Sequence, residues 1–132
     1  MFNDMKKILI VEDDGMLRKV LIDAFTRSYT VMDASTGEMG WQKITFQLPD
    51  LILLDLMLPE LSGIDLLKRI RKSEDQKIAH VPVIIISNLS DEKTITEAKT
   101  LGIDDYFVKS SVEIGEIVSR IEAALNQQAP TI

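Results

Sequence analysis

The stretch "LILLDLMLPELSG", residues 51–63, decides how the whole chain is read. Asp55 stands between Leu51, Ile52, Leu53 and Leu54 on one side and Leu56, Met57 and Leu58 on the other. A carboxylate taken out of water without a partner is strongly destabilising. Asp55 is therefore either exposed at the end of a buried strand or held there by a cation. Pro59 and Gly63 mark the turn that follows.

Outward from this stretch, apolar runs alternate with amphipathic ones. Upstream, "ILIV" (8–11) reads as a strand, and "MLRKVLIDAFTRS" (16–28) follows with Leu17, Val20, Leu21, Ala24 and Phe25 at helical spacing. "YTVMDAS" (29–35) is a weaker strand with polar residues interleaved, as at a sheet edge. "GEMGWQKITFQ" (37–47) reads as a helix weakened by Gly40. Downstream of the turn comes a helix with Ile64, Leu67 and Ile70 on one face and Lys68, Arg69, Arg71 and Lys72 around it. That basic group reads as a solvated face. "VPVIIIS" (81–87) is a strand in which Pro82 fits only near the start. Ser90, Asp91 and Glu92 start a helix and Gly102 stops it. "YFVK" (106–109) is the fifth strand, and 112–125 is the last helix, with Ile114, Ile117, Val118, Ile121 and Leu125 inward. Trp41 and Phe46 read as core or helix-face packing, His80 as a loop residue, and residues 127–132 as a frayed tail.

Five strands alternating with five helices indicate an α/β fold with a doubly wound parallel sheet. Three of the strands are continuously apolar, as strands covered on both faces should be. Parallel strands joined by right-handed crossovers put their C-terminal ends on one edge, where doubly wound folds bind ligands.

The totals agree. A chain of 132 residues, 45% hydrophobic and 27% charged, fits one domain with a single core, spanning 1–132 with its folded part at about 5–126. A net charge of −6 argues against direct DNA binding, which needs clustered Lys and Arg. The absence of cysteine excludes a disulfide framework and a thiolate metal site. After Lys6 and Lys7 only Ile8 to Val11 are apolar before Glu12, too few for a secretory core or a membrane span. The expected location is the cytoplasm.

The residues that close each apolar run carry the chemistry. The first strand ends in Glu12, Asp13 and Asp14, the third in Asp55, the fourth in Ser87 and the fifth in Lys109. Glu12, Asp13 and Asp55 together repel one another unless a cation sits among them. An all-oxygen donor set without His or Cys selects a hard ion, Mg²⁺ or Mn²⁺. A carboxylate beside such an ion, a lysine and a hydroxyl can attack a phosphoryl group and form an aspartyl phosphate. Each group alone has an ordinary reading: the acidic triplet as a helix cap, Asp55 as a turn former, Ser87 as a strand-end partner, Lys109 as a surface lysine. The conjunction at four strand ends outweighs these, and it puts Asp55 at the lip of the sheet, not in its core.

With "ILIVEDD", "LILLDLMLPELSG", "VIIIS" and "YFVK" in this order, residues 5 to about 126 closely resemble the receiver domain of bacterial two-component response regulators. The resemblance implies a flavodoxin-like sheet in strand order 2-1-3-4-5. It implies that Asp55 takes phosphate from a phosphohistidine on a histidine kinase or a histidine phosphotransfer protein. Asp13, Asp55 and the backbone carbonyl of Met57 would be direct Mg²⁺ ligands, with Glu12 acting through water and Asp14 one place beyond the set. Ser87 matches the switch hydroxyl, Lys109 the phosphate-binding lysine and Tyr106 the aromatic switch. Partner affinity would change on the face made by the fourth helix, fifth strand and fifth helix, at Thr94, Glu97 and Glu113. The phosphate donor would dock near the first helix, with Met16 or Leu17 as an apolar contact.

Two departures from the family pattern matter. Ser110 stands where the family usually has proline, which predicts a trans Lys109–Ser110 bond or a cis bond under visible strain. Asn88 stands where a very small residue is usual, and with Met57 and Leu89 it predicts slow loss of phosphate, over hours rather than seconds. Met57 also replaces the second aspartate of the D-x-D phosphatases, which argues against a turnover enzyme. The remaining alternative is a degenerate receiver that only binds a partner, although it would be expected to lack some of the groups present. The few residues after Leu125 leave no room for an output module, so a monomeric or weakly dimeric stand-alone regulator, or one piece of a larger protein, is expected.

Overall fold

The structure, a computed structural model, describes residues 5–126. Its strands are β1 (Lys7–Val11), β2 (Thr30–Ala34), β3 (Leu51–Leu54), β4 (Val83–Ser87) and β5 (Asp105–Val108). They form one parallel sheet in the order β2-β1-β3-β4-β5. The helices are α1 (Gly15–Phe25), α2 (Gly37–Gln47), α3 (Gly63–Arg71), α4 (Gln76–Ala79), α5 (Glu92–Leu101) and α6 (Ile114–Asn126). The expected flavodoxin-like doubly wound fold is the one observed.

Alternation along the strands splits the core into two layers. Leu9, Val11, Ile52, Leu54, Val83 and Ile85 face one side and pack with α2, α3 and Ala98 of α5. Ile8, Ile10, Leu51, Leu53, Ile84 and Ile86 face the other, against α1 and α6. Apart from Lys7 the central strands are buried, which is why residues 8–11, β3 and β4 up to Ile86 are apolar at successive positions. Burying each such side chain contributes about 1.5–3 kcal/mol.

Helix starts follow capping chemistry. Asp14 caps α1, Thr36 α2, Ser62 α3, Asp75 α4 and Asp91 α5, each side chain accepting a backbone N–H of its first turn. Gly102 ends α5 at φ +94°. Gly63 governs the approach of α3 to the sheet. A Cβ there would lie 2.3 Å from the Asp55 carbonyl oxygen and 2.4 Å from Leu56 Cα. The turn after β3 therefore folds back tightly over the strand end.

Several boundaries differ from the sequence expectation. α1 stops at Phe25, beyond which Ser28 and Tyr29 N–H both turn back onto the Phe25 carbonyl at 3.1 and 3.0 Å. α4 is a single turn, too short to show periodicity, and His80 is its exposed C-cap. β5 stops at Val108, and Lys109 opens a 3₁₀ turn over Lys109–Ser111. The Lys109–Ser110 bond is trans, as no cis peptide occurs among the described residues. The expected tail at 127–132 lies outside the described residues.

Three packing expectations are corrected. Phe46 is 85% exposed on the outer face of α2, uncovered by any element among the described residues. Val20 is 47% exposed, because the inward face of α1 is completed by Leu17, Leu21 and Phe25 instead. Trp41 does pack on the core, with the Arg69 guanidinium 5.5 Å from its ring centroid. The basic group on α3 is not uniformly solvated. Arg71 donates to the carbonyls of Ala79 (2.9 Å), Val81 (2.8 Å), Leu101 (3.2 Å) and Gly102 (2.7 Å). It ties α3 to the segments entering β4 and β5, and those partners are invisible to helical periodicity.

Arg71→Ala is expected to lower unfolding free energy by about 2–4 kcal/mol, since it strands carbonyls that lose their donor. Exposed Lys72→Ala should cost less than about 0.5 kcal/mol. Urea unfolding followed at Trp41 measures both, and equal small losses would contradict the assignment.

Candidate functional site

Parallel pairing brings the critical residues together. Glu12 follows β1, with its N–H on the Ala34 carbonyl at 3.0 Å, and Asp55 follows β3, with its N–H on the Val11 carbonyl at 3.0 Å. Ser87 closes β4 opposite Val108, and Lys109 comes next in the chain. The four strand ends expected to converge do so.

The opening alternative for Asp55, exposure or a cation, resolves toward the cation. Asp55 stands at the strand end, yet it is only 2% exposed. Lys109 Nζ lies 2.9 Å from its Oδ2. The same ammonium lies 3.1 Å from Glu12 Oε2 and 3.0 Å from Glu12 Oε1. Met57 N–H donates to Asp55 Oδ1 at 3.0 Å. Glu12 is also fully buried, and its Oε2 accepts the Asp14 N–H at 3.0 Å. Among the described residues its Oε1 has no hydrogen-bond partner, although it forms an ion pair with the Lys109 ammonium. Asp13 is exposed, and one oxygen each from Glu12, Asp13 and Asp55 fall within 4.8 Å of one another.

This arrangement has a definite electrostatic character. Burial pushes the Glu12 carboxyl up to about 7, against the opposing pull of the Asp14 N–H and Lys109 and with help from the Asp55 charge. Burial alone would lower Lys109, but its hydrogen bonds to Asp55 and Glu12 outweigh that and raise it. With Glu12 ionised, three carboxylates face one ammonium, which leaves an excess of negative charge at the strand ends. A hard divalent cation fits that donor set.

The other expected residues take distinct places. Ser87 is fully buried, and its Oγ accepts the Leu89 N–H at 3.2 Å. Tyr106 is half-buried and donates its hydroxyl to the Leu89 carbonyl. Met57 is 53% exposed beside Asp55. Asp14 turns its carboxylate to Met16 and Leu17 N–H of α1, consistent with a cap outside the acidic set. Met16 is 84% exposed, whereas Leu17 packs into the second core layer. Arg18 was not anticipated: its Nη1 donates to the Glu12 carbonyl at 2.8 Å and its Nε pairs with Asp33 at 3.0 Å. A basic residue one turn into the helix after an acidic triplet was its only signal.

Comparison with known proteins gives a consistent picture. The family described as the response regulator receiver domain matches residues 8–122. The chain is 40% identical over 123 residues to Protein RcaC of Microchaete diplosiphon, covering 92% of this chain and 18% of that one. It is 37% identical over 125 residues to Response regulator ArlR of Staphylococcus saprophyticus, covering 94% and 54%. The chain thus spans about half, or less, of the length of the curated relatives it matches. Among solved structures, a CheY-like response regulator receiver domain protein from Methanospirillum hungatei superposes with TM-score 0.84 at 26% identity, over 94% of this chain and 96% of that one. No helix among the described residues is long and apolar enough to cross a membrane.

The raised Glu12 carboxyl has a thermodynamic consequence. The folded state keeps a proton that the unfolded state releases between its ordinary value of 4.5 and about 7. In metal-free protein this group's contribution to stability therefore falls as pH rises through that window. Comparing unfolding of wild type and Glu12→Gln from pH 5 to pH 8 isolates it. The wild type should lose stability relative to the variant as pH rises, and parallel curves would contradict the assignment.

Proposed function

Because this chain belongs to the response regulator receiver domain family, we propose that it is a phosphoryl-accepting switch whose acceptor is Asp55. The observation that carries the proposal is the buried Asp55 carboxylate held 2.9 Å from Lys109, with Glu12 and Asp13 alongside. Asp13, Asp55 and the Met57 carbonyl would hold Mg²⁺ or Mn²⁺ directly, with Glu12 engaging it through water. The ion would neutralise charge on the transferring group. An Asp55 oxygen attacks the phosphorus of a phosphohistidine on a histidine kinase or a histidine phosphotransfer protein. The oxygen–phosphorus bond forms as the phosphorus–nitrogen bond breaks, and the imidazole leaves. Lys109 then moves its hydrogen bond from the carboxylate to a phosphoryl oxygen, and the Ser87 hydroxyl donates to another.

The signal passes as a population shift. Ser87 and Tyr106 both hold the segment at Leu89, one through its N–H and the other through its carbonyl. Drawing Ser87 toward phosphate loosens that segment and re-positions Tyr106. The face of α5, β5 and α6, with Thr94, Glu97 and Glu113, then presents a changed surface to a protein target. Met16 is the apolar contact for the phosphate donor, its exposure supporting it over the packed Leu17. The cytoplasm, where such kinases present their phosphohistidines, is the proposed location.

Acetyl phosphate with Mg²⁺ should add about 80 Da to the wild type, the mass of one phosphoryl group. Asp55→Asn should gain nothing, and the adduct should persist for hours after the donor is removed. A wild type that stays unmodified, or an adduct that survives Asp55→Asn, would contradict the proposal.

A further inference from the structure

Glu12, whose carbonyl opens the peptide that leads to Asp13, is held by both of its backbone groups. Glu12 N–H is fixed by the Ala34 carbonyl of β2 at 3.0 Å. Its own carbonyl accepts Arg18 Nη1 at 2.8 Å. Arg18 is anchored in turn by Asp33, the β2 residue in register with Ile10, at 3.0 Å. Its side chain is 23% exposed, so the guanidinium is partly withdrawn from water. One guanidinium thus ties α1 to the end of β1 and to β2, across the peptide that projects the acidic pair.

This matters because Asp13 is exposed. Of the three clustered acids it alone lacks cover from the protein, so its place depends on the backbone that carries it. An exposed ligand on a loose loop must be ordered when the ion arrives, and that ordering subtracts from affinity. A loop already clamped avoids this loss. The pairing with Asp33 has a second effect: it offsets the guanidinium charge, which would otherwise oppose a cation nearby.

We propose that Arg18 is a positioning residue for the acidic site, acting through the Glu12 carbonyl to fix the loop that presents Glu12 and Asp13 to a divalent cation. The inference rests on the reading of these acids as the metal-holding set. Arg18 touches neither the ion nor the phosphoryl group. Its effect falls on how tightly the ion is held and not on the rate of transfer once the ion is bound.

Calorimetric titration of wild type, Arg18→Lys and Arg18→Ala with Mg²⁺ alone tests it, alongside the melting temperature of each and the order of the Asp13 and Asp14 amides measured by NMR relaxation without metal. Arg18→Ala should raise the Mg²⁺ Kd about tenfold or more, as loss of a partner behind a metal ligand commonly does. Arg18→Lys, which keeps a donor for the carbonyl but not the fork, should fall between. Amide order at Asp13 should drop in the alanine variant, and transfer from acetyl phosphate at saturating Mg²⁺ should stay within about twofold of wild type. An unchanged Kd with a lowered melting temperature would make Arg18 merely structural and overturn the inference. Wild type that binds Mg²⁺ but takes no phosphate would sink the proposed switch while leaving Arg18 to be judged by Kd. Wild type that binds no Mg²⁺ would sink the metal reading and the Arg18 inference together.

Discussion

Two carboxylates almost wholly withdrawn from water share one ammonium, and the site is organised around that fact. Glu12 and Asp55 side chains are 1% and 3% exposed, and Lys109 reaches both from the end of β5. Removing one partner from such a buried group leaves an uncompensated charge, an effect of about 3–5 kcal/mol. The group is therefore stable only with its cation in place. With Glu12 ionised the three clustered acids still outnumber that ammonium, an excess of charge that a further cation would offset. The same residues that threaten the fold in isolation are the ones proposed to meet an ion and a phosphoryl group.

The sheet makes this geometry possible. Asp55 is fixed by a backbone hydrogen bond to Val11 and Glu12 by one to Ala34, so the acids inherit the register of β1, β2 and β3. Ser87 and Lys109 inherit theirs from β4 and β5. Strands buried on both faces are rigid platforms, whereas the connections beyond them are free to respond. The Leu89 segment, held by Ser87 and Tyr106, is one such connection. The close approach at Gly63 keeps the turn after β3 pressed over Asp55.

Much of this was legible in the sequence because parallel strands covered on both faces must be apolar at successive positions. "ILIV", "LILL" and "VIII" mark β1, β3 and β4 directly, and the interleaved polarity of β2 marks an edge. The polar residue that ends each run then names the site. What escaped were contacts that depend on three-dimensional neighbours. Arg71 looked like one of several solvated cations, and its carbonyl partners come from helix ends and loops up to 31 residues away. Arg18 is close to Glu12 in sequence, but its role appears only when Asp33 arrives from β2. Phe46 shares the apolar character of core residues, and periodicity could not show that it stands exposed on its side of α2. The burial of Asp55 likewise became visible only with Lys109 in place.

The central claim is that these remote groups make one carboxylate, Asp55, the atom that bonds to phosphorus. A crystal structure of the protein with Mg²⁺ and beryllofluoride tests it most directly. The account predicts beryllium bonded to an Asp55 oxygen, fluorines against Lys109 Nζ and Ser87 Oγ, and one ion among Asp13, Asp55 and the Met57 carbonyl. Beryllofluoride attached to another residue, or absent while Mg²⁺ fills the acidic set, would contradict it.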